Sequence, residues 1–169
     1  LIGDPDKRFA EDPVRMLRAL RFKAKLDFDI PAELDELIHK HKSHFKEVSN
    51  ARLFDETFKL FHYAHAIDSW ETLDEHGFIE ILFPLTAREI KQNPTVEDFI
   101  FNALENTDRR VGQGKPVIPA YFFAVILWHA YLTERQNIPN LARGKEGVYR
   151  AAEKVFAKQY PTIAIPKRV

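Results

Sequence analysis

The chain has 169 residues, 45% apolar and 30% charged, which suits a single ordinary domain or two small ones packed together and argues against disorder. It contains no cysteine, which removes disulfides, thiolate metal sites and a cysteine nucleophile and fits a reducing, cytoplasmic setting. Its 25 basic and 25 acidic residues balance, so it lacks the overall excess of positive charge of a non-specific nucleic-acid binder.

Apolar residues recur at helical spacing in nearly every segment and β-branched alternation is scarce, so an all-α fold is expected. One helix is predicted from about Asp12 to Leu26, closed by the stretch from Asp27 to Pro31, and a second from Ala32 to Val48. Ser49 or Asn50 is placed to cap a third, from Ala51 to Ala66. A short helix from Ile67 to His76 should stop at Gly77, and the apolar run Phe78 to Phe83 leads into Pro84. A helix from Thr95 to about Thr107 presents Val96, Phe99, Ile100, Ala103 and Leu104 on one face. Residues 111–116, with two glycines and a proline, form the best linker candidate. Ala120 to Leu132 is apolar except for His129; at thirteen residues it is too short to span a bilayer and reads as a buried core helix. A last helix should cover about Leu141 to Tyr160, stopped by Pro161.

Charge is unevenly spread. Seven basic residues (Arg143, Lys145, Arg150, Lys154, Lys158, Lys167 and Arg168) face two acidic ones between Asn140 and Val169, whereas the other 139 residues carry 18 basic against 23 acidic. Contact with a phosphate backbone should therefore concentrate near the C-terminal end, if this is more than a solvated helix face.

Several tempting constellations lack the spacing their chemistry needs. His39, His41 and His44 do not give the i,i+4 pair of a helical metal site, and His62 and His65 have no carboxylate arrangement, so surface or interface histidines are expected and no metal. The triplets Asp4-Pro5-Asp6 and Asp27-Phe28-Asp29 fall in a turn and a helix break, with no Gly-rich strand-to-helix turn to cradle phosphates.

The informative stretch is Glu11-Asp-Pro-Val-Arg-Met-Leu-Arg-Ala-Leu-Arg-Phe22. Asp12, Arg15, Arg18 and Arg21 recur every third residue and drift slowly across one side of a helix, while Met16, Leu17, Leu20 and Ala24 fall on the other. A carboxylate only accepts hydrogen bonds and a guanidinium only donates them. Adenine and cytosine present an amino donor beside a ring-nitrogen acceptor, which matches an Asp/Arg pair. Guanine and uracil present the reverse and would leave polar groups unsatisfied at roughly 1–3 kcal/mol each. The plainer alternative makes Asp12 an N-cap, Pro13 the first helical residue and the arginines merely solvated. Phe22, lying among the arginines, implies that this face also meets something apolar.

The segments Ile2-Gly-Asp-Pro5, Arg8-Phe9 and Glu11 to Leu26 resemble the neck region of the tRNA nucleotidyltransferase/poly(A) polymerase family. Ser49-Asn-Ala-Arg52-Leu-Phe-Asp-Glu56-Thr-Phe-Lys59-Leu looks like the helix motif that follows it there. Leu82-Phe-Pro84, Asn106-Thr-Asp108-Arg109, the aromatic helix from Ala120 to Trp128 and Ala164-Ile-Pro-Lys-Arg168 are similar to the poly(A) polymerase branch rather than the CCA-adding branch. The resemblance implies nucleotide contacts at Asp12, Arg15, Arg18 and Arg21, with Glu11 orienting the turn and Arg52, Glu56 and Lys59 bracing the reading helix. It also implies neck-like helices over residues 1–66 and a body over 67–169, with a possible break at 111–116, that guides RNA 3′ ends. The family takes ATP as substrate and holds Mg²⁺ on paired carboxylates of a head domain. Nothing here matches that head, and the chain opens without an initiator Met, so it is expected to be a piece of a longer enzyme and inactive alone. The rival readings are a CCA-adding enzyme and a non-catalytic helical module that binds RNA or protein.

Overall fold

The computed structural model describes residues 3–139 and 144–166, and among them there is no strand, in keeping with the all-α expectation. The helices are α1 (Pro5–Glu11), α2 (Val14–Leu26), α3 (Ala32–His41), α4 (Asn50–Phe61), α5 (Ala66–Glu75), α6 (Ile79–Leu82), α7 (Pro84–Gln92), α8 (Thr95–Gly112), α9 (Pro119–Gln136) and α10 (Lys145–Gln159), with a 3-10 segment at Lys42–Glu47.

Two helices lie outside the periodic segments of the sequence. The Asp4 carboxylate accepts the Asp6 backbone N–H and Pro5 occupies the first turn, so α1 starts ahead of Asp12. Pro84, into which the apolar run leads, opens α7. Asp12 and Pro13 break α1 from α2, because a residue before proline is pushed to extended geometry and Asp12 adopts φ −146° and ψ 88°. At the other end of α2, Asp27 turns the chain in the left-handed region, with φ 52°. The helix predicted from Ala32 to Val48 tightens to 3-10 after His41, and that predicted to end near Thr107 runs on to Gly112. The predicted start of the last helix at Leu141 lies outside the described residues.

One hydrophobic core gathers residues from Phe9 to Ile163. The inward face of α2 supplies Val14, Met16, Leu17, Leu20 and Ala24, as its periodicity dictates, and the helix packs on α4 and α5. Phe61 stacks on Phe122 at 4.3 Å between ring centroids, and Phe83 packs against Trp70, Phe122 and Phe123. The expected burial of the apolar run holds for one face of α9 only: Phe122, Phe123, Val125, Ile126, Leu127 and Ala130 are buried, while Tyr121, Ala124 and Trp128 reach solvent. No helix among the described residues is long and apolar enough to cross a membrane.

Two histidines depart from the expected surface placement. His41 and His76 are buried and lie against carboxylates, His41 at 2.6 Å from Asp6 and His76 at 3.0 Å from Asp35, because α1, α3 and α5 converge there.

Helix α5 begins without a side-chain cap of its own and takes one from α8. The Asp108 carboxylate accepts the N–H groups of Ala66 at 2.7 Å and Ile67 at 3.2 Å. Burial raises the Asp108 carboxyl above its ordinary value, against the pull of these two donors. Asp108→Ala leaves both without a partner and should cost about 1–2 kcal/mol, read as a lower urea midpoint at unchanged slope.

Candidate functional site

The break between α1 and α2 sets Asp12 at the head of the arginine stripe. Its backbone N–H donates to the Arg8 carbonyl and its own carbonyl accepts from Arg15 N–H, both local bonds that fix the turn. Its carboxylate caps neither helix: Oδ2 accepts from Arg52 Nη2 at 2.9 Å and lies 3.6 Å from Arg15 Nε. Thus Asp12 is not the side-chain N-cap of α2, the plainer of the two sequence readings, since Pro13 holds that position without a side-chain bond.

Within this trio the hydrogen bonding is incomplete. Asp12 Oδ1 and Arg15 Nε are both shielded from solvent and have no hydrogen-bond partner. An acceptor and a donor left unpaired side by side are costly, at roughly 1–3 kcal/mol each, and the cost is relieved by a ligand edge presenting a donor beside an acceptor once the side chains shift to meet it.

The next two arginines of the stripe converge on Glu56 of α4. Arg18 grips it with two bonds, at 3.3 and 3.1 Å, Lys59 donates at 3.0 Å, and Arg21 lies 3.8 Å away. Burial alone would raise the Glu56 carboxyl, but the hydrogen bonds from Arg18 and Lys59 and their charges prevail and hold it below the ordinary glutamate value. The hydrogen bonds that Arg18 donates to Glu56 raise Arg18 in turn, despite desolvation. Asp12 and Glu56 together face Arg15, Arg18, Arg21, Arg52 and Lys59, so the site carries a formal charge of +3. That surplus suits a polyphosphate or a nucleic-acid backbone.

Of the remaining candidate residues, Phe22 borders this cluster. The Glu11 carboxylate accepts from Arg8 of its own helix at 3.5 Å. Phe22 is half exposed, with the Arg21 guanidinium 5.6 Å from its ring centre. On α10, Gly147, Ala151, Val155 and Gln159 are buried, which leaves Lys145, Arg150, Lys154 and Lys158 on the open side. Arg150 pairs with Glu146 at 2.5 Å and Lys158 with Glu134. Arg143, Lys167 and Arg168 lie outside the described residues. Sequence spacing gave no sign of the contact between Arg52 and Asp12, 40 residues apart. Among the described residues no group of three His, Asp or Glu side chains converges to hold a metal ion.

Comparison with known proteins finds likenesses along the whole chain. Residues 27–90 match the family model described as "Probable RNA and SrmB- binding site of polymerase A". The chain is 35% identical over 173 residues to Poly(A) polymerase I of Salmonella typhimurium, covering 100% of this chain and 37% of that protein. It is 38% identical over 131 residues to Poly(A) polymerase I of Haemophilus influenzae, covering 76% of this chain and 29% of the relative. The CCA-adding enzyme of Bacillus subtilis matches at 40% over a shorter stretch of 81 residues, 48% of this chain and 20% of that enzyme. The chain is thus similar along its whole length to bacterial poly(A) polymerases, and it spans little more than a third of the length of the curated relatives that match it throughout.

Proposed function

We propose that this chain forms the nucleotide-reading and RNA-guiding region of a polynucleotide adenylyltransferase, an enzyme that adds AMP from ATP to RNA 3′ ends in the cytoplasm. Residues 1–66 are the region that faces the nucleotide, and 67–169 the body. The observation that carries the reading is that Asp12 Oδ1 and Arg15 Nε, on two side chains already ion-paired at 3.6 Å, both lack a hydrogen-bond partner. The adenine amino group donates to the Asp12 carboxylate and a ring nitrogen accepts from Arg15, while guanine offers the opposite polarity. The triphosphate extends towards Arg18, Arg21 and Lys59, whose charges exceed what Glu56 neutralises. These residues bind and orient. Transfer of the nucleotidyl group, and the Mg²⁺ that supports it, is assigned to none of them, because no group among the described residues fits a metal ion.

Cytosine shares adenine's polarity, so the Asp12/Arg15 pair alone serves a CCA-adding enzyme as well. The longer match to the poly(A) polymerases favours adenylate.

The test is incorporation into an RNA primer by the whole protein, with the four triphosphates offered singly. Long products with ATP alone are expected. Asp12→Ala should cut the preference for ATP over GTP by about tenfold to a hundredfold, the worth of one or two mismatched polar groups. An undiminished preference in that variant removes Asp12 from base reading, and a stop after two C and one A on tRNA-like ends makes the enzyme a CCA adder.

A further inference from the structure

The stretch that reads as a linker, residues 111–116, is an ordered helix end. Gly114 takes a positive φ of 72°, its N–H bonds the Val111 carbonyl at 2.9 Å, and the Lys115 N–H bonds back to the Arg110 carbonyl at 2.9 Å. This left-handed cap ends α8 and brings Lys115 over the turn that bears Arg109 and Arg110. Asp108, one residue earlier, ties that turn to the start of α5.

The chain then crosses to α9 and encloses a cleft of about 520 Å³. Arg109, Arg110 and Lys115 line one side, and Ile118 and Tyr121, both exposed, line the other. No carboxylate is in its wall, whereas four other clefts of the described surface each contain at least one. The cations are also unneutralised. Arg109 and Lys115 donate only to the neutral side chains of Asn106 and Gln113, and among the described residues no carboxylate pairs with any of the three. The arginines of α1, α2 and α10 are, by contrast, each held by an Asp or Glu.

We propose that this cleft between the end of α8 and the start of α9 binds single-stranded RNA, with Arg110 and Lys115 on successive phosphates and a base stacked on Tyr121. The ligand follows from the pairing of chemistries: a run of cations without counter-charge matches a phosphate backbone, and an exposed aromatic ring beside it matches an unstacked base. An acidic peptide would satisfy the cations but leave Tyr121 and Ile118 without partners. The site lies beyond residues 27–90, where the family model places its match, and apart from the Asp12 cluster. It rests on the reading of the chain as an RNA-binding one.

The experiment is fluorescence anisotropy of a labelled single-stranded oligoadenylate on the full chain across a salt series. Arg110→Glu with Lys115→Glu should weaken binding at least tenfold at 0.1 M salt and flatten the slope of log K against log[salt] by about 1.4, the share of two phosphate contacts on a single strand. Tyr121→Ala should weaken binding about fivefold or more without moving that slope. Retained circular dichroism and an unchanged ATP-over-GTP preference will separate these effects from misfolding and from the Asp12 site. A salt slope that survives the double reversal overturns the cleft while leaving base reading intact. No binding by the unaltered chain overturns both the cleft and the RNA reading. Equal displacement by an oligoglutamate of the same charge overturns RNA as the occupant.

Discussion

Glu56→Gln is expected to lower the unfolding free energy by about 2–3 kcal/mol at neutral pH. The carboxylate is buried and holds Arg18, Arg21 and Lys59; the amide keeps the shape but has one neutral acceptor to offer them. The cost stays below that of a fully buried ion pair because Arg18 and Lys59 can turn to water. Acid supplies an internal control. A carboxyl held below its ordinary value stabilises the fold above the unfolded-state pKa and loses that contribution as pH falls through the folded-state value. The gap between wild type and variant should therefore close under acid, below the ordinary glutamate range. Denaturant melts from pH 7 down to pH 3 measure it, and a gap independent of pH would mean that Glu56 acts through packing rather than charge.

Phe83→Ala should cost more, about 3–5 kcal/mol. Phe83 is fully buried after α6 and touches Trp70 of α5 and Phe122 and Phe123 of α9, so its removal opens a cavity at the middle of the core. Since one cluster runs from Phe9 to Ile163, the loss should appear as one shifted transition by both tryptophan fluorescence and circular dichroism. Two separated transitions would instead divide the core into independently melting units.

What the sequence revealed of the site, and what it concealed, follows from the range of the forces involved. The Asp12 to Arg21 stripe is a local pattern, three residues per step on one helix, and the buried and open faces of α2 fall where its periodicity puts them. Glu56 is 38 residues from Arg18 and carries no local sign of its role; only likeness to a known family drew attention to it, and packing of α4 on α2 completes the contact. Asp12 looks like a helix cap because Asp before Pro is a common cap. Arg52 claims its carboxylate instead, a choice that only the tertiary structure makes.

The secondary-structure differences have equally physical roots. Helix α1 has seven residues and buries only Phe9, too few to show a period, and its cap at Asp4 is legible only afterwards. Pro84 serves as a helix starter because the first-turn N–H groups need no intrahelical acceptor. The glycines after Val111 mark a linker candidate, and a positive φ at Gly114 is what lets α8 close tightly just before α9 begins.

The start of α4 depends on the far end of the chain. Ser49 makes no side-chain cap there, and the Asn50 side-chain amide donates to the Tyr160 carbonyl at 2.7 Å while the Asn50 backbone carbonyl accepts from the Ala164 N–H at 3.2 Å. These bonds span more than a hundred residues of sequence, and a polypeptide emerging from a ribosome cannot make them until the end of α10 and the segment after it have been synthesised. The bonds that fix the first turn of the helix bearing Arg52 and Glu56 therefore form late in translation, after its packing on α2 and α5 has become possible.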